Sequence, residues 1–140
     1  MIYLDNAATS RFKPKCVIDA LLSDVKNSAN SGRSGHKASI LATLAVENAR
    51  TYFKEVFNVD NVVFTKNCTE ALNLAIFGFV KEGMTVLTTE NEHNSVLRPL
   101  YELKGRGVIN LLIEPAINGY TPFERLVDGG KHADLMVVSN

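Results

Sequence analysis

The fold class follows from one stretch, residues 62–89, which has the sequence VVFTKNCTEALNLAIFGFVKEGMTVLTT. Two runs rich in β-branched residues, 62–65 and 85–89, predict strands. Between them, Asn67 followed three residues later by Glu70 is typical of a capped helix start. Apolar residues then recur at helical spacing at Leu72, Ala75, Ile76 and Phe79. A strand, a helix and a second strand in this order predict parallel pairing across a helical connection.

The chain downstream repeats this alternation. Helical spacing predicts a helix over 95–104, with Pro99 inside it, and an apolar run predicts a strand over 108–113. Thr121 and the Glu three residues later predict a short capped helix, and LMVVS at 135–139 predicts a last buried strand. The predicted fold class is therefore α/β, with a largely parallel sheet flanked by helices.

The chain upstream is predicted to be simpler. Residues 1–13 are expected to form an extended N-terminal segment, and an apolar stripe predicts a helix over 14–25. Asn, Ser and Gly predominate in 26–35 and predict a loop, which a long amphipathic helix follows from His36 to about residue 57. The length of the chain fits one domain, which we expect to span residues 14–140.

Composition excludes several classes of function. Lys and Arg total 15, as do Asp and Glu, so bulk electrostatics favour neither nucleic acid nor an anionic membrane as a partner. We expect no membrane span and no secretory signal. The two cysteines offer neither a disulfide framework nor zinc spacing, and the three histidines show no ligand spacing, so no metal site is expected and a cytoplasmic location is predicted.

The turn at Asn67, Cys68 and Thr69 is a candidate anion site. The first N–H groups of a helix lack intrahelical partners and lie at the positive end of the helix dipole, so a phosphate is stabilised there. Thr69 adds a hydroxyl, and the small Cys68 allows a bound group to approach the backbone. The alternative is that Asn and Thr only cap the helix, as they commonly do.

His93 lies in the polar turn after the strand at 85–89, which we expect beside the turn at 66–69. Its imidazole could stack on an aromatic cofactor ring or act as an acid–base group. The alternative is that His93 caps the following helix. His36 and His132 are interpreted as solvated structural residues.

Four segments together resemble the cysteine desulfurases of the class V aminotransferase family. They are YLDNAATS at 3–10, NSGRSGH at 30–36, FTKNCTEALNLA at 64–75 and TTENEHNSVLRPL at 88–100. They resemble, in order, the N-terminal signature, the segment after the first helix, the phosphate-binding turn and the segment with the ring-stacking histidine. The resemblance covers nearly the whole chain, and the order and spacing of the four motifs make it more specific than any one of them.

The resemblance implies a pyridoxal 5'-phosphate enzyme of fold type I that forms a homodimer, converts L-cysteine to L-alanine and transfers sulfur to an acceptor protein. Residues 14–140 would be the N-terminal part of the cofactor-binding large domain. Residues 67–69 would hold the cofactor phosphate, and His93 would lie over the pyridine ring. Asn6, Ala7, Ala8 and Thr9 would line the substrate side.

The resemblance also places several functional groups after residue 140: the Schiff-base lysine, the acidic partner of the pyridine nitrogen and the persulfide cysteine. We therefore expect the chain to be a truncated, inactive part of the enzyme. Lys37, although it follows Ser-Gly-His, is interpreted as a solvated helix-start residue. By spacing, the functional asparagine of the family is expected just after Asn140. Alternatives are a selenocysteine lyase, a transaminase or a non-catalytic module that binds a phosphorylated ligand.

Overall fold

A computed structural model describes residues 2–139 and divides them into two compact units, a first unit up to residue 63 and a second from residue 64. The first unit contains helix α1, Lys15–Asn27, and helix α2, Lys37–Phe57. Both helices were predicted, each with its start within one residue. α2 ends at Asn58, whose φ of 51° places it in the left-handed region, which Asn tolerates better than most residues.

The second unit alternates helices and strands. Its elements are α3, Cys68–Phe79; β1, Thr85–Thr89; α4, Asn94–Gly105; β2, Asn110–Glu114; α5, Phe123–Gly130; and β3, Leu135–Val137. The strand order is β2-β1-β3, and β1 pairs in parallel with both neighbours. The predicted α/β class with a parallel sheet is confirmed. β1 occupies the predicted residues, 85–89.

Helices cover both faces of this sheet. One face contributes to the main apolar cluster, formed with α3 and α4 by Ile76, Val86, Val96, Leu100, Leu103 and Ile109. Leu87 follows Val86 in β1 and therefore points to the opposite face, where it is fully buried. There α5 approaches so closely that a Cβ on Gly129 would lie 3.1 Å from Leu87 Cδ2. Glycine at this position allows the close contact between helix and strand.

The prediction of a strand at residues 62–65 is wrong. The segment has no strand assignment, and within the described residues the sheet consists of β1, β2 and β3. In its place, the Arg50 guanidinium donates a hydrogen bond to the carbonyl of Val62. A strand is defined by hydrogen bonds to a neighbouring strand, and β-branched composition alone cannot supply that partner.

The predicted cap at Thr121 is also wrong, although the helix it was meant to start is present. Pro122 occupies the N-cap position and α5 begins at Phe123, so Thr121 lies one residue too early to reach the free N–H groups. Its hydroxyl is buried and has no hydrogen-bond partner among the described residues. Proline, with its fixed φ, decides where this helix starts.

No helix between residues 2 and 139 combines the length and the apolar character that a membrane-spanning segment requires.

Candidate functional site

The start of α3 is capped as the sequence predicts. Asn67 Oδ1 accepts a hydrogen bond from the Glu70 N–H at 2.8 Å. The Glu70 carboxylate reaches back and accepts one from the Lys66 N–H at 2.9 Å, one residue before the position used in a standard capping box. The turn between residues 66 and 70 is therefore fixed by two side chains of its own.

Capping leaves two donors of this first turn free. Within residues 2–139 no hydrogen bond is made by the backbone N–H of Cys68 or of Thr69. Both residues are solvent-exposed, and Cys68 is a free thiol. Two unpaired amides at the positive end of a helix can bind an anion, and the Thr69 hydroxyl belongs to the same turn. Capping by Asn67 and anion binding by its two neighbours are therefore compatible.

His93 caps α4. Its Nδ1 accepts a hydrogen bond from the Ser95 N–H at 3.1 Å and lies 2.8 Å from the Ser95 hydroxyl oxygen. A backbone amide can only donate, so Nδ1 carries no proton and the neutral ring has its proton on Nε2. The capping interpretation of His93 is confirmed, and the cap fixes both the tautomer and the position of the ring.

This cap limits what chemistry the imidazole can perform. Nε2–H is a hydrogen-bond donor, and the other nitrogen is occupied by Ser95. The ring can accept a further proton only at Nδ1, which would remove the acceptor that the Ser95 N–H uses. The side chain is exposed, so a ring face is accessible. The geometry favours stacking and donation from Nε2 over general-base catalysis.

A side chain ties these two helix starts together. Pro99 lies inside α4 and has no N–H to donate to the Ser95 carbonyl four residues earlier. Asn73 of α3 donates its Nδ2–H to that carbonyl at 3.4 Å and to the Thr69 carbonyl at 2.8 Å. The proline thus frees an acceptor in α4, and α3 supplies the donor.

The two helices border a cleft of about 410 Å³. Its lining contains both Thr69 and His93, which come from the two predicted turns. The remaining lining residues are Asn73, Phe77, Asn94, Ser95, Arg98, Pro99 and Glu102. Asn67 and Cys68, two other predicted cofactor contacts, are not among them. The volume lies within the range typical of small-molecule sites.

Sequence reasoning missed Asn73 and Arg98 in this cleft. Asn73 follows Thr69 by four residues and therefore lies on the same face of α3, a spacing that could have identified it. Arg98 stands four residues after Asn94 on α4 and brings a positive charge to the cleft. Its neighbours in the sequence are mostly apolar, so the sequence around it did not indicate a binding site.

Residues 6–9, the predicted substrate contacts, lie in the first unit. Asn6, Ala7 and Ala8 form a turn within the segment that was predicted to be extended. Tyr3 donates its hydroxyl proton to the Thr9 carbonyl at 2.9 Å, and Asn6 Oδ1 accepts from the Arg11 N–H at 3.3 Å. Their role toward a substrate stays a prediction.

Lys37 and Asn140 were not expected to take part in the site. Lys37 is the first residue of α2 and is exposed, as predicted for a solvated helix-start residue. Asn140 lies outside the described residues.

In the part of the chain that the structure describes, no three His, Cys, Asp or Glu side chains are grouped as metal ligands.

Residues 2–124 match the family model described as Aminotransferase class-V. The chain belongs to this family. A cysteine desulfurase IscS from Shewanella baltica (strain OS185) is 34% identical over 99% of this chain and 36% of its own length. A probable cysteine desulfurase from Synechocystis sp. (strain ATCC 27184 / PCC 6803 / Kazusa) is 38% identical over 71% of this chain and 25% of its own.

Solved structures agree with the fold. The apo structure of a cysteine desulfurase from Thermococcus onnurineus NA1 superimposes with a TM-score of 0.83 at 32% identity, covering 98% of this chain and 36% of that chain. A C-DES variant with glycine covalently linked to its pyridoxal phosphate cofactor has a TM-score of 0.70 at 20% identity, over 89% and 34%, and shares the fold. The chain thus spans between about a quarter and just over a third of the length of these relatives.

Proposed function

We propose that this chain is the N-terminal part of a cysteine desulfurase-like enzyme that uses pyridoxal 5'-phosphate to convert L-cysteine to L-alanine with transfer of sulfur. The observation that carries the proposal is the placement of Thr69 and His93 on one cleft. One is at a helix start with unpaired amides, and the other presents an exposed imidazole. A ligand with an anionic group and an aromatic ring would match this pair.

The N–H groups of Cys68 and Thr69, with the Thr69 hydroxyl, would hold the cofactor phosphate. Asn67 would act indirectly, because its side chain is already committed to the Glu70 N–H and fixes the turn. A helix N-terminus stabilises a negative charge through its dipole and its unpaired donors. The cleft volume of about 410 Å³ is sufficient for a compact ligand. The residues present therefore fit the phosphate end of this cofactor.

His93 would contact the aromatic ring of the cofactor. Its cap bond to Ser95 keeps the imidazole in one orientation, so stacking requires no further ordering of this side chain. Nε2–H would remain available as a donor toward the cofactor or the substrate. When bound, pyridoxal phosphate supplies an electron sink that stabilises negative charge at a substrate carbon. We assign His93 to orientation and to donation at Nε2.

The finer features of the proposal come from the resemblance. They are L-cysteine as substrate, contacts to it from residues 6–9, a homodimer, a sulfur-acceptor protein and a cytoplasmic location. The resemblance places the lysine that bonds the cofactor after residue 140. We therefore predict that the 140-residue chain tested alone binds the cofactor weakly or not at all and does not turn over L-cysteine.

A titration of the 140-residue chain with pyridoxal phosphate and, separately, with inorganic phosphate tests the site. Thr69→Ala should weaken both ligands about fivefold, because both lose the hydroxyl donor. Thr51→Ala, an exposed threonine of α2, is the matched control and should leave both affinities unchanged. If Thr69→Ala binds each ligand as tightly as the wild type does, the site is rejected.

The competing function is a module that binds a phosphorylated ligand without chemistry. The observation in its favour is that the unpaired amides at Cys68 and Thr69 are suited to any phosphate. His93→Ala separates the two proposals, since inorganic phosphate has no ring to stack. Loss confined to pyridoxal phosphate supports the enzyme, whereas equal loss for both ligands supports the phosphate-binding module.

A further inference from the structure

Glu92 is a buried carboxylate that the proposed site does not use. It is only 6% exposed, although acidic residues are rarely buried without a partner. Its partners are neutral donors: none of the ion pairs found between residues 2 and 139 includes it. Burial of an unpaired charge opposes folding unless hydrogen bonds replace the lost water. We therefore expect this buried carboxylate to have a structural or functional role.

Both carboxylate oxygens of Glu92 are bound by one residue. Oε1 accepts a hydrogen bond from the Ser139 N–H at 2.6 Å, and Oε2 accepts one from the Ser139 hydroxyl at 2.7 Å. The Thr89 hydroxyl donates to Oε1 at 3.3 Å. All three partners are donors, which suits an ionised carboxylate that can only accept. The side chain thus fastens the turn after β1 to the chain that leaves β3.

This connection lies at the edge of the sheet where ligands are expected. β1 and β3 are parallel neighbours, so the segments after them emerge at the same edge. In open α/β sheets, ligands bind at the carboxyl ends of the strands. The residue directly after Glu92 is His93, which caps α4 and lines the cleft. The carboxylate therefore anchors the backbone on one side of the imidazole, and the helix anchors it on the other.

We propose that Glu92 is a positioning residue: its bidentate contact with Ser139 holds the turn of His93 in place and thereby sets the position of the imidazole in the cleft. The proposal rests on the proposed function, in which His93 contacts the cofactor ring. Glu92 itself does not line the cleft and acts through its neighbour. Its effect should therefore depend on the presence of the imidazole.

A double-mutant cycle in the 140-residue chain tests this dependence. Glu92→Ala should weaken pyridoxal phosphate about tenfold and change the affinity for inorganic phosphate by less than about twofold. In a His93→Ala background, Glu92→Ala should have little further effect. A loss that is the same in both backgrounds, or equal for the two ligands, overturns the proposal.

Three further variants separate positioning from general stability. Glu90→Ala removes an exposed carboxylate from the same turn and should leave both affinities unchanged. Glu92→Gln retains an acceptor for the Ser139 N–H and should recover most of the binding. Ser139→Ala removes only the hydroxyl contact and should give a smaller loss of the same kind. The last two keep the proposal testable if Glu92→Ala does not fold.

Imidazole ¹⁵N NMR supplies a readout that needs no cofactor. Glu92→Ala should displace the His93 ring signals, assigned with His93→Ala, and leave those of His36 and His132 in place. Unchanged His93 signals contradict the proposal. If the wild type binds neither pyridoxal phosphate nor inorganic phosphate, the proposed phosphate site fails, and the NMR comparison still decides whether Glu92 positions His93.

Discussion

His36 and His93 occupy the same local position at two helix starts. Each is an N-cap, and each Nδ1 accepts a backbone N–H, from Ser39 at 3.2 Å and from Ser95 at 3.1 Å. The difference lies in what surrounds the two rings. His93 shares a cleft with Thr69 of another helix start, whereas His36 follows the polar loop of the first unit. Capping occupies one nitrogen and leaves a ring face and Nε2 free, so a cap can also be a ligand contact.

The helices that carry these histidines are also anchored differently. α4 buries five residues: Ser95, Val96, Pro99, Leu100 and Leu103. In α2 the one buried residue is Ser39, whose hydroxyl donates to the Asn30 carbonyl at 2.6 Å. A side chain on a well-packed helix is held more precisely than one near a loop. The packing of α4 is therefore expected to hold His93 more firmly than α2 holds His36.

The largest effect is expected from removing the anchor of α4. Leu100 is fully buried, so Leu100→Ala should lower the free energy of unfolding by about 3 kcal/mol through lost burial and a cavity. Leu44 of α2 is about half exposed (51%), and Leu44→Ala should cost less than about 1 kcal/mol. Urea denaturation measures both. Similar losses would show that the two helices are equally anchored.

The two histidines themselves are the next comparison. His93→Ala should weaken pyridoxal phosphate by about 1.4 kcal/mol, roughly tenfold, because the ring loses its stacking partner. His36→Ala loses an equivalent cap and should leave the affinity unchanged. Equilibrium titration of both variants checks this. Equal losses would mean that the caps act on the stability of the chain and that neither ring touches the ligand.

Much of the fold could be predicted because its signals are local. β1 was placed residue for residue, since a β-branched run lies between a turn and a polar segment. The start of α3 was predicted because Asn67 and Glu70 interact within four residues. The segment at 62–65 has the β-branched composition that is typical of a strand, but it does not form one. Strand formation also depends on hydrogen bonds to a partner that is distant in sequence.

The candidate site was harder to predict for the same reason. Thr69 and His93 were expected at neighbouring turns because each turn was predicted to follow a strand of one sheet. Residues 62–65 form no strand, yet both residues line the cleft. The tie from Asn73 to Ser95 spans 22 residues, and the contact of Glu92 with Ser139 spans 47. Neither of these two contacts produces a periodic pattern in the amino-acid sequence. A buried glutamate is indistinguishable in sequence from the exposed Glu90 two residues earlier.

The tie between α3 and α4 offers a smaller effect. Asn73→Ala should lower the free energy of unfolding by about 1 kcal/mol, because the Ser95 carbonyl loses its donor. In a Pro99→Ala background the helix regains an N–H for that carbonyl, so the cost should be smaller. Asn27→Ala is the control, since among residues 2–139 the Asn27 side chain donates only to Ser23 of its own helix. An undiminished cost in the Pro99→Ala chain would contradict the role of proline.

The smallest change in stability, and the sharpest separation of capping from ligand contact, is expected from replacing each histidine by a better cap. Asn accepts an N–H at an N-cap at least as well as His, so His36→Asn and His93→Asn should each change the free energy of unfolding by no more than about 0.5 kcal/mol. Asn lacks an aromatic ring, so His93→Asn should still lose pyridoxal phosphate affinity, whereas His36→Asn should not. Thermal unfolding and titration on the same samples give both quantities. If His93→Asn retains full affinity, the imidazole serves only to start α4, and the ring contact has to be assigned to another residue of the cleft.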